Sequence, residues 1–474
     1  MSLIGRKREQ DLLSRCLASG KPEFVAVYGR RRVGKTYLIR QYFKDGFAFY
    51  ATGIASAKTR EQLKAFHAQL HAYGDESRTI PKDWFEAFSR LMSLLKDTDV
   101  RRDRVSGRIV VFLDELPWMD TARSDFKAAL DFFWNGWAST QDDLMLVVCG
   151  SATSWMISNL VNDRGGFHNR ITRQIQLEPF TLTECEQYYR GEGIVFSRQQ
   201  VIESYMVFGG IPHYLSLLDR RSSLAQNIDQ LCYARTGELR FELHRLYQSL
   251  FKHGDRHLAI VRALAARQGG LLRSELERID GIGGGKALTT ALVELEQCGF
   301  VRRYRDFTKH GRGQHYQVID PFTPFSLRFV EPGKVDSWLA FVNSPAYAAW
   351  TGMAFELTCL LHTDQIKTAL GVFGVQSSQT AWRSSKADPG AQIDLLIDRA
   401  DGVINLCEMK YSSKQFAIDK TYAQTLQNKL TAFREETGTP KAVHLTMVTA
   451  AGLAHNAYWN DVQQELTADD LFAF

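Results

Sequence analysis

The sequence lacks the features that mark membrane, secreted and zinc-binding proteins. Its 474 residues contain no apolar run long enough to span a bilayer, and residues 1–6 lack the apolar core of a signal peptide. The seven cysteines are scattered without a C-x-x-C pair, so neither a zinc site nor a disulfide framework is expected. These absences predict a cytoplasmic protein with reduced thiols and no membrane partner.

The sequence also has little excess charge. Its net charge is +5, and charged residues make up 23% of the chain against 45% hydrophobic residues. This balance is typical of globular protein; it permits nucleic-acid binding without indicating it. The length predicts two to four domains.

The most informative stretch runs from Gly29 to Thr36 with the spacing G-x-x-x-x-G-K-T. The stretch follows an apolar run at 24–28 and precedes a helical pattern at 37–43. This placement favours a phosphate-binding loop over an ordinary strand-to-helix turn. Backbone N–H groups of such a loop surround phosphate oxygens, Lys35 reaches the β- and γ-phosphates, and the Thr36 hydroxyl can bind Mg²⁺. The sequence therefore predicts a site for a nucleoside triphosphate and Mg²⁺, with these nucleotide-binding residues: Gly29, Arg32, Val33, Gly34, Lys35, Thr36 and Tyr37.

Two further apolar runs predict buried strands in the same domain. Residues 109–113 end in Asp114 and Glu115, and residues 144–149 are followed by Gly150 and Ser151. Strands that alternate with helices predict an α/β fold with a parallel sheet covered on both faces. Asp114 can hold Mg²⁺, and Glu115 can orient or deprotonate the attacking water, although capping of the strand competes as a role for Glu115.

Three more polar residues are candidates at this site. Ser151 could sense the γ-phosphate or simply cap its loop. Arg170 or Arg173 could stabilise the charge of the transition state, or either could be a solvated side chain. An arginine supplied by a neighbouring subunit would make the protein a homo-oligomer.

Four segments together resemble one family. They are residues 28–36, residues 112–115, Gly150-Ser151 and the run GGIPHYL at 209–215. They are similar to the prokaryotic archaeal-type ATPases, relatives of the AAA+ and STAND P-loop ATPases, and the similarity covers about the first half of the chain. It implies an ASCE-type P-loop fold in which Lys35 and Thr36 bind nucleotide, Asp114 binds Mg²⁺ and Glu115 activates water.

The same resemblance has two further implications. The segment around Pro212 would lie in a helical lid near the base of the nucleotide. The segment Ile4-Gly5-Arg6, followed by Glu9, would pack near the adenine.

The pattern along the chain predicts four domains: a P-loop ATPase core at 1–180, a helical lid at 181–254, a winged helix-turn-helix at 255–332 and a nuclease-like domain at 333–474. The predicted winged helix-turn-helix has three helical patterns, the second over 271–276, and two strands, 300–304 and 316–319.

The third helical pattern of the predicted winged helix-turn-helix carries Glu294 and Glu296. These acidic side chains are unfavourable for contact with the phosphates along a major groove, which disfavours a transcription factor. The basic residues lie in the hairpin: Arg302, Arg303, Arg305, Lys309 and Arg312. The sequence leaves two roles for this hairpin undecided: contact with DNA, and packing between domains.

A second candidate site lies near the end of the chain. Glu408 and Lys410 are two apart on a strand and share a face, and Asp394 on the partner strand can reach that face beyond the Asp401-Gly402 turn. Converging carboxylates and a lysine would bind a divalent cation and polarise water for attack on a phosphodiester, and Glu356 could add a ligand. A surface hairpin with an ordinary salt bridge is the alternative.

A helix before these strands and another after them resemble the PD-(D/E)xK nuclease superfamily, although Gln392-Ile393-Asp394 lacks the proline before the aspartate. The resemblance implies a metal-dependent nuclease-like domain with DNA or RNA as partner, or a domain that has persisted as a binding module. The leading hypothesis is an ATP-hydrolysing, nucleic-acid-associated protein whose nucleotide state controls this domain. The alternative is a non-catalytic, ATP-dependent signalling or regulatory switch whose last domain only binds a partner.

Overall fold

The computed structural model describes residues 3–44, 46–162, 165–167, 169–267, 269–307, 313–333, 337–342, 344–384, 386–387 and 390–473. The chain divides into two compact units, Met1–Glu178 and Pro179–Phe474. Two basic residues predicted for the hairpin, Lys309 and Arg312, lie outside the described residues. No helix in the ranges given above is both long enough and apolar enough to cross a membrane. All seven cysteines are buried.

The first unit alternates strands with helices, as the apolar runs predict. Its elements are α1 (Lys7–Leu17), β1 (Glu23–Tyr28), α2 (Lys35–Phe43), β2 (Phe49–Thr52), α3 (Thr59–Ala72), α4 (Trp84–Leu95), β3 (Ile109–Asp114), α5 (Leu116–Met119), α6 (Phe126–Gly136), β4 (Leu144–Gly150), α7 (Thr153–Met156) and β5 (Arg173–Gln176).

The strands of this unit form a parallel sheet. Across its described part the order is β2-β3-β4-β1-β5, so β4 lies between the strand before the phosphate loop and the strand that ends in Asp114. Every residue of β1, β3 and β4 is buried, because helices cover both faces of a parallel sheet. One face packs on an aromatic cluster that includes Trp84, Phe88, Phe126 and Phe133. The order brings the carboxyl ends of β1, β3 and β4 to one edge.

The second unit begins with helices. These are α8 (Leu182–Gly191), α9 (Arg198–Phe208), α10 (Pro212–Leu215), α11 (Leu224–Ile228) and α12 (Glu242–Leu250). Thr181 and Ser197 cap α8 and α9 with their hydroxyl groups. Gly209 and Gly210 follow α9 with positive φ, and an added Cβ at Gly210 would lie 2.2 Å from the Phe180 carbonyl oxygen. Helices α8, α9 and α10 therefore follow one another, with a break where the two glycines lie.

The next segment contains three helices and a small antiparallel sheet. The elements are α13 (Gly254–Ala265), β6 (Leu271–Leu272), α14 (Arg273–Leu276), α15 (Gly285–Gln297), β7 (Val301–Arg305) and β8 (Gln314–Val318), and the described strands pair in the order β6-β8-β7. The helix expected over 271–276 is wrong for its first two residues. Leu271 and Leu272 pair with Tyr316 and His315 on β8, and this ladder outweighs their helical preference.

The last segment is α/β. It comprises α16 (Phe322–Phe325), α17 (Pro345–Leu361), α18 (Thr363–Ala369), β9 (Ser377–Arg383), β10 (Gln392–Arg399), β11 (Val403–Lys410), α19 (Lys420–Thr437), β12 (Ala442–Thr449) and β13 (Gln464–Thr467). Among the residues placed, the sheet order is β13-β12-β11-β10-β9. Strands β9, β10 and β11 are antiparallel, and β11, β12 and β13 are parallel. The predicted hairpin through Asp401-Gly402 is confirmed.

The end of β7 continues onto this last sheet. Asp306 forms a bridge with Ala381 of β9, and the Phe307 amide donates to the Ala381 carbonyl at 3.0 Å. The Phe307 ring packs on Phe433 of α19, with ring centroids 5.3 Å apart. The hairpin β7–β8 is therefore packed against the segment that carries Asp394, Glu408 and Lys410.

Candidate functional site

The phosphate loop adopts a backbone that only particular residues permit. Gly29 has φ 147°, and a Cβ there would lie 2.2 Å from the Leu177 carbonyl oxygen. Gly34 has φ 90° at the start of α2, and Arg32 between them has φ 76°. A non-glycine residue at positive φ costs free energy, so the surrounding structure must impose this conformation on Arg32. Such a concave loop before a helix N-terminus suits a bound phosphate.

Lys35 closes the loop on itself. Its ammonium group donates to the carbonyl oxygens of Gly29, at 2.8 Å, and Arg30, at 2.9 Å, and its side chain is almost entirely buried. The ammonium group thus lies inside the loop, and its contact with the phosphates stays a prediction. Val33 is also buried, and Tyr37, in the first turn of α2, is partly exposed.

Thr36 and Asp114 meet at the carboxyl edge of the sheet. The Thr36 hydroxyl donates to Oδ2 of Asp114 at 2.8 Å, and the Glu115 amide donates to Oδ1 at 2.9 Å. Burial raises the pKa of Asp114 above its ordinary value, and the Glu115 charge adds to the rise. A hydroxyl and a carboxylate oxygen this close are ligands that Mg²⁺ prefers, so these residues fit the predicted cation. Bound there, Mg²⁺ would offset negative charge on the phosphates.

Glu115 is held by Ser151. The Ser151 hydroxyl donates to Oε1 of Glu115 at 2.7 Å, and the Ser151 amide lies 3.2 Å from Oε2. Glu115 has φ 46°, a conformation that turns its backbone away from the strand direction of Asp114. The structure therefore brings together the end of β3 and the end of β4, as the sequence predicts, and places Ser151 on the predicted water-activating group.

The N-terminal segment contacts the same loop. Arg6 is buried, and its guanidinium donates to the Val33 carbonyl at 3.1 Å. Glu9 lies in the first turn of α1. This contact fixes the segment Ile4-Gly5-Arg6 beside the phosphate loop; the adenine contact implied by the resemblance stays a prediction.

Three further residues were predicted for this site. Arg170 is exposed, and Arg173 is exposed on β5. Pro212 begins α10 in the second unit. Roles in nucleotide binding or transition-state stabilisation for these three residues stay predictions.

The second candidate site lies at one end of the antiparallel pair β10–β11. Leu395 pairs with Cys407 and Leu396 with Leu406, so Asp394 and Glu408 each directly adjoin a paired residue, and the register of β10 against β9 shifts between Ile393 and Leu396. The side-chain amide of Gln392 donates to Oδ1 of Asp394 at 2.5 Å.

Glu408 is more heavily engaged than the sequence predicts. Its Oε1 accepts from the Tyr422 hydroxyl at 2.8 Å and lies 3.3 Å from the Lys410 ammonium, and its Oε2 accepts from Lys429 at 2.8 Å. Burial by itself raises the pKa of Glu408, but Lys429 and Lys410 outweigh it and hold that pKa below its ordinary value.

Lys429 and Tyr422 are functional candidates that the sequence interpretation missed. They lie on α19, whose buried stripe includes Leu426 and Phe433. Positions 422, 426, 429 and 433 follow the spacing of one helix face, so a lysine within this apolar stripe was a signal that it points inward.

The second site fits a divalent cation only in part. In the described part of the chain, no group of three or more His, Cys, Asp or Glu side chains is placed to hold a metal ion. Asp394, Glu408 and Glu356 are therefore not a preassembled cluster, and a cation would have to displace a lysine from Glu408. A metal-binding role for these residues stays a prediction.

Replacing Lys429 by methionine is expected to lower the free energy of unfolding by about 1–3 kcal/mol at pH 7, because Glu408 keeps Lys410 and Tyr422 but loses its second cation in a buried setting. The depressed pKa of Glu408 contributes stability above the unfolded carboxyl value, about 4.3, and this contribution is lost as the pH falls through the folded value. Urea unfolding from pH 7 down to pH 3 should show the difference between Lys429→Met and wild type narrowing in acid. Lys420→Met, at an exposed position of the same helix, is the control; equal destabilisation of both variants would contradict the prediction.

The first site and its sheet define a P-loop nucleotide-binding domain. A glycine-rich loop between β1 and α2, a lysine and threonine at the start of that helix, and an acidic pair at the end of β3 are the parts required to hold and hydrolyse a nucleoside triphosphate.

Comparison with known proteins indicates which kind of P-loop domain this is. Residues 3–218 match the family described as "ATPase domain predominantly from Archaea", so this part of the chain carries an archaeal-type ATPase domain, which supports ATP binding and hydrolysis. An uncharacterized protein of Methanocaldococcus jannaschii is 22% identical over 336 residues, which cover 69% of each chain.

Two solved structures are also similar. The Walker-type ATPase of Pyrococcus abyssi shares 17% identity at a TM-score of 0.48, covering 69% of this chain and 96% of its own. The ORC2 protein of Aeropyrum pernix, solved with ADPNP and ADP, shares 16% identity at a TM-score of 0.43, covering 72% of this chain and 96% of its own.

Proposed function

We propose that this protein hydrolyses ATP at the first site, associates with nucleic acid, and uses its nucleotide state to control a nuclease-like segment at 333–474. The observation that carries the ATPase part is the set of contacts joining Thr36 to Asp114 and Ser151 to Glu115 at one sheet edge. The family match over residues 3–218 supports the same conclusion.

In the proposed reaction each side chain has a distinct task. Lys35 leaves the carbonyl groups of the loop to stabilise phosphate charge. Glu115 orients the attacking water and accepts its proton. Ser151 holds the Glu115 carboxylate, and a γ-phosphate that draws the Ser151 hydroxyl away would release Glu115 for this task. The site would then differ between its ATP and ADP states, which is the change that a controlled segment could sense.

For the second site we propose a phosphodiester as substrate. Asp394 and Glu408 lie on the neighbouring strands β10 and β11, with the Lys410 ammonium beside Glu408. A lysine there can stabilise the charge that develops on a phosphate in the transition state.

The experiment is an assay of the full chain on single- and double-stranded DNA and RNA, with Mg²⁺ or Mn²⁺, with and without ATP. We expect the wild-type chain to cleave nucleic acid at a rate that changes when ATP is added. Cleavage should be lost in both Asp394→Ala and Lys410→Ala. Lys414→Ala, at an exposed lysine four residues further on, should cleave as wild type. Cleavage that survives in both of the first two variants would show that this site is not responsible.

One observation favours the alternative function, an ATP-dependent switch whose last segment only binds a partner. The charge of Glu408 is already offset by Lys410 and Lys429, and its Oε1 accepts a hydrogen bond from Tyr422. ATP-dependent self-association in sedimentation experiments, without cleavage of any of the four nucleic acids, would support the switch and remove the nuclease.

A further inference from the structure

A cavity of about 460 Å³ lies within the second unit. Its lining includes Asp394 of β10 and Glu356 of α17, the two carboxylates that the sequence assigns to the second site together with Glu408. A molecule in this cavity therefore touches side chains of that site. The cavity itself corresponds to no predicted feature.

The size of the cavity limits what can occupy it. Pockets of about 300–1,000 Å³ bind molecules of the size of a nucleotide. A nucleic-acid duplex is wider than its own major groove, which is about 12 Å across. A duplex therefore cannot enter a cavity of about 460 Å³. A duplex could reach Asp394 only by placing a single unpaired nucleotide in the cavity.

The chemistry of the lining is mixed in a way that suits a nucleotide. Most of the surface is apolar and includes Trp350 and Leu357, which can contact the faces of a base. Cationic groups come from α13, from the residues just after it and from the segment after α16. Arg262 is paired with Glu331, with two contacts of 2.9 Å, whereas Arg267 has no carboxylate partner in the part of the chain that the structure covers.

The hairpin β7–β8 lies close to the cavity. The end of β7 is joined to β9 through Asp306 and Phe307, so this part of the hairpin is packed against the last sheet. Arg302 of the same hairpin is directed inward, where its Nε donates at 2.7 Å to Gln317, a residue that lines the cavity.

We propose that this cavity binds one nucleotide of a single-stranded nucleic acid, with the base against the apolar wall, a neighbouring phosphate on Arg267, and the strand passing to Asp394 and Glu356. The inference rests on the proposed function, because it names the substrate class of the second site. Single strands, and duplexes with an unpaired end, are the substrates that fit; intact duplexes do not.

The test measures binding of the full chain to a fluorescein-labelled 12-nucleotide single strand and to a blunt hairpin of matched sequence, in EDTA so that no cleavage occurs. The single strand is expected to bind at least about tenfold more tightly. Ala266→Trp, which fills the cavity from its lining, and Arg267→Glu should each weaken single-strand binding about tenfold. Arg278→Glu, an exposed arginine outside the lining, is the matched control and should lose clearly less.

The outcomes separate this inference from the proposed function. Three results would each overturn the cavity proposal. They are binding of the nucleic-acid hairpin that equals or exceeds binding of the single strand, no binding of either probe, and undiminished single-strand binding by Ala266→Trp at an unchanged melting temperature. Cleavage that is lost in Asp394→Ala but insensitive to Ala266→Trp would leave the nuclease in place without the cavity. Cavity-dependent binding without cleavage would keep the binding site and remove the nuclease.

Discussion

Replacing Lys35 by alanine is expected to reduce ATP turnover by at least about a hundredfold, since one preorganised donor to developing charge contributes that much in other enzymes. Lys35 is buried, and its ammonium group is held by the carbonyls of Gly29 and Arg30 at the centre of the phosphate loop. Removing it takes away the cation that would contact the phosphates. The measurement is steady-state release of phosphate from ATP by the purified full chain.

The control for this prediction is Lys64→Ala, at an exposed lysine on α3, which should keep wild-type turnover. The two carbonyl oxygens that lose Lys35 can also destabilise the loop, so the melting temperature of each variant is measured beside turnover. Turnover by Lys35→Ala at the wild-type rate would rule out ATP hydrolysis at this loop.

Glu115→Gln is expected to lower turnover by about 10²–10⁴-fold while ATP binding persists, because a glutamine is nearly the same shape but cannot accept the proton of the attacking water. Its side-chain oxygen can still accept from Ser151, so the end of β3 should keep its arrangement. Binding is measured with a fluorescent ATP analogue, and hydrolysis is measured in a single turnover.

Ser151→Ala provides the comparison. It removes the hydroxyl that contacts Glu115 and leaves the Ser151 backbone amide, so its loss of turnover should be smaller than that of Glu115→Gln. A Glu115→Gln variant that hydrolyses ATP as wild type would show that Glu115 only caps its strand, the alternative that the sequence leaves open.

The first site could be predicted because its constraints are local. The loop needs glycine at Gly29 and Gly34, and the strand before it and the helix after it are visible as apolar patterns. The meeting of Asp114 with Thr36 also follows from the sequence, because parallel strands end at one sheet edge.

The second site was predicted less completely because part of it comes from a helix. Sequence alternation places Glu408 and Lys410 on one face, but the rotation of α19 that brings Tyr422 and Lys429 to Glu408 depends on how Leu426 and Phe433 pack. Packing of this kind is set by tertiary contacts, which a single sequence pattern does not show.

The same limit explains the error at Leu271 and Leu272. Their pattern continues into α14, and only pairing with a strand more than forty positions later makes them extended. The cavity beside Asp394 is likewise formed by separate elements, including α13 and α17, whose proximity no local pattern predicts.

The bridge between Asp306 and Ala381 has a consequence for how this chain can evolve. Strand β9 is the last strand of its sheet in the described order, and the residues after β7 cover its outer edge. Phe307 contributes to the apolar cluster that contains Trp382 and Phe433. A gene rearrangement that exchanged the segment before residue 333 for an unrelated one would leave a bare strand edge and an apolar gap, an arrangement prone to aggregation. The three-helix segment and the C-terminal sheet are therefore expected to be inherited as a pair.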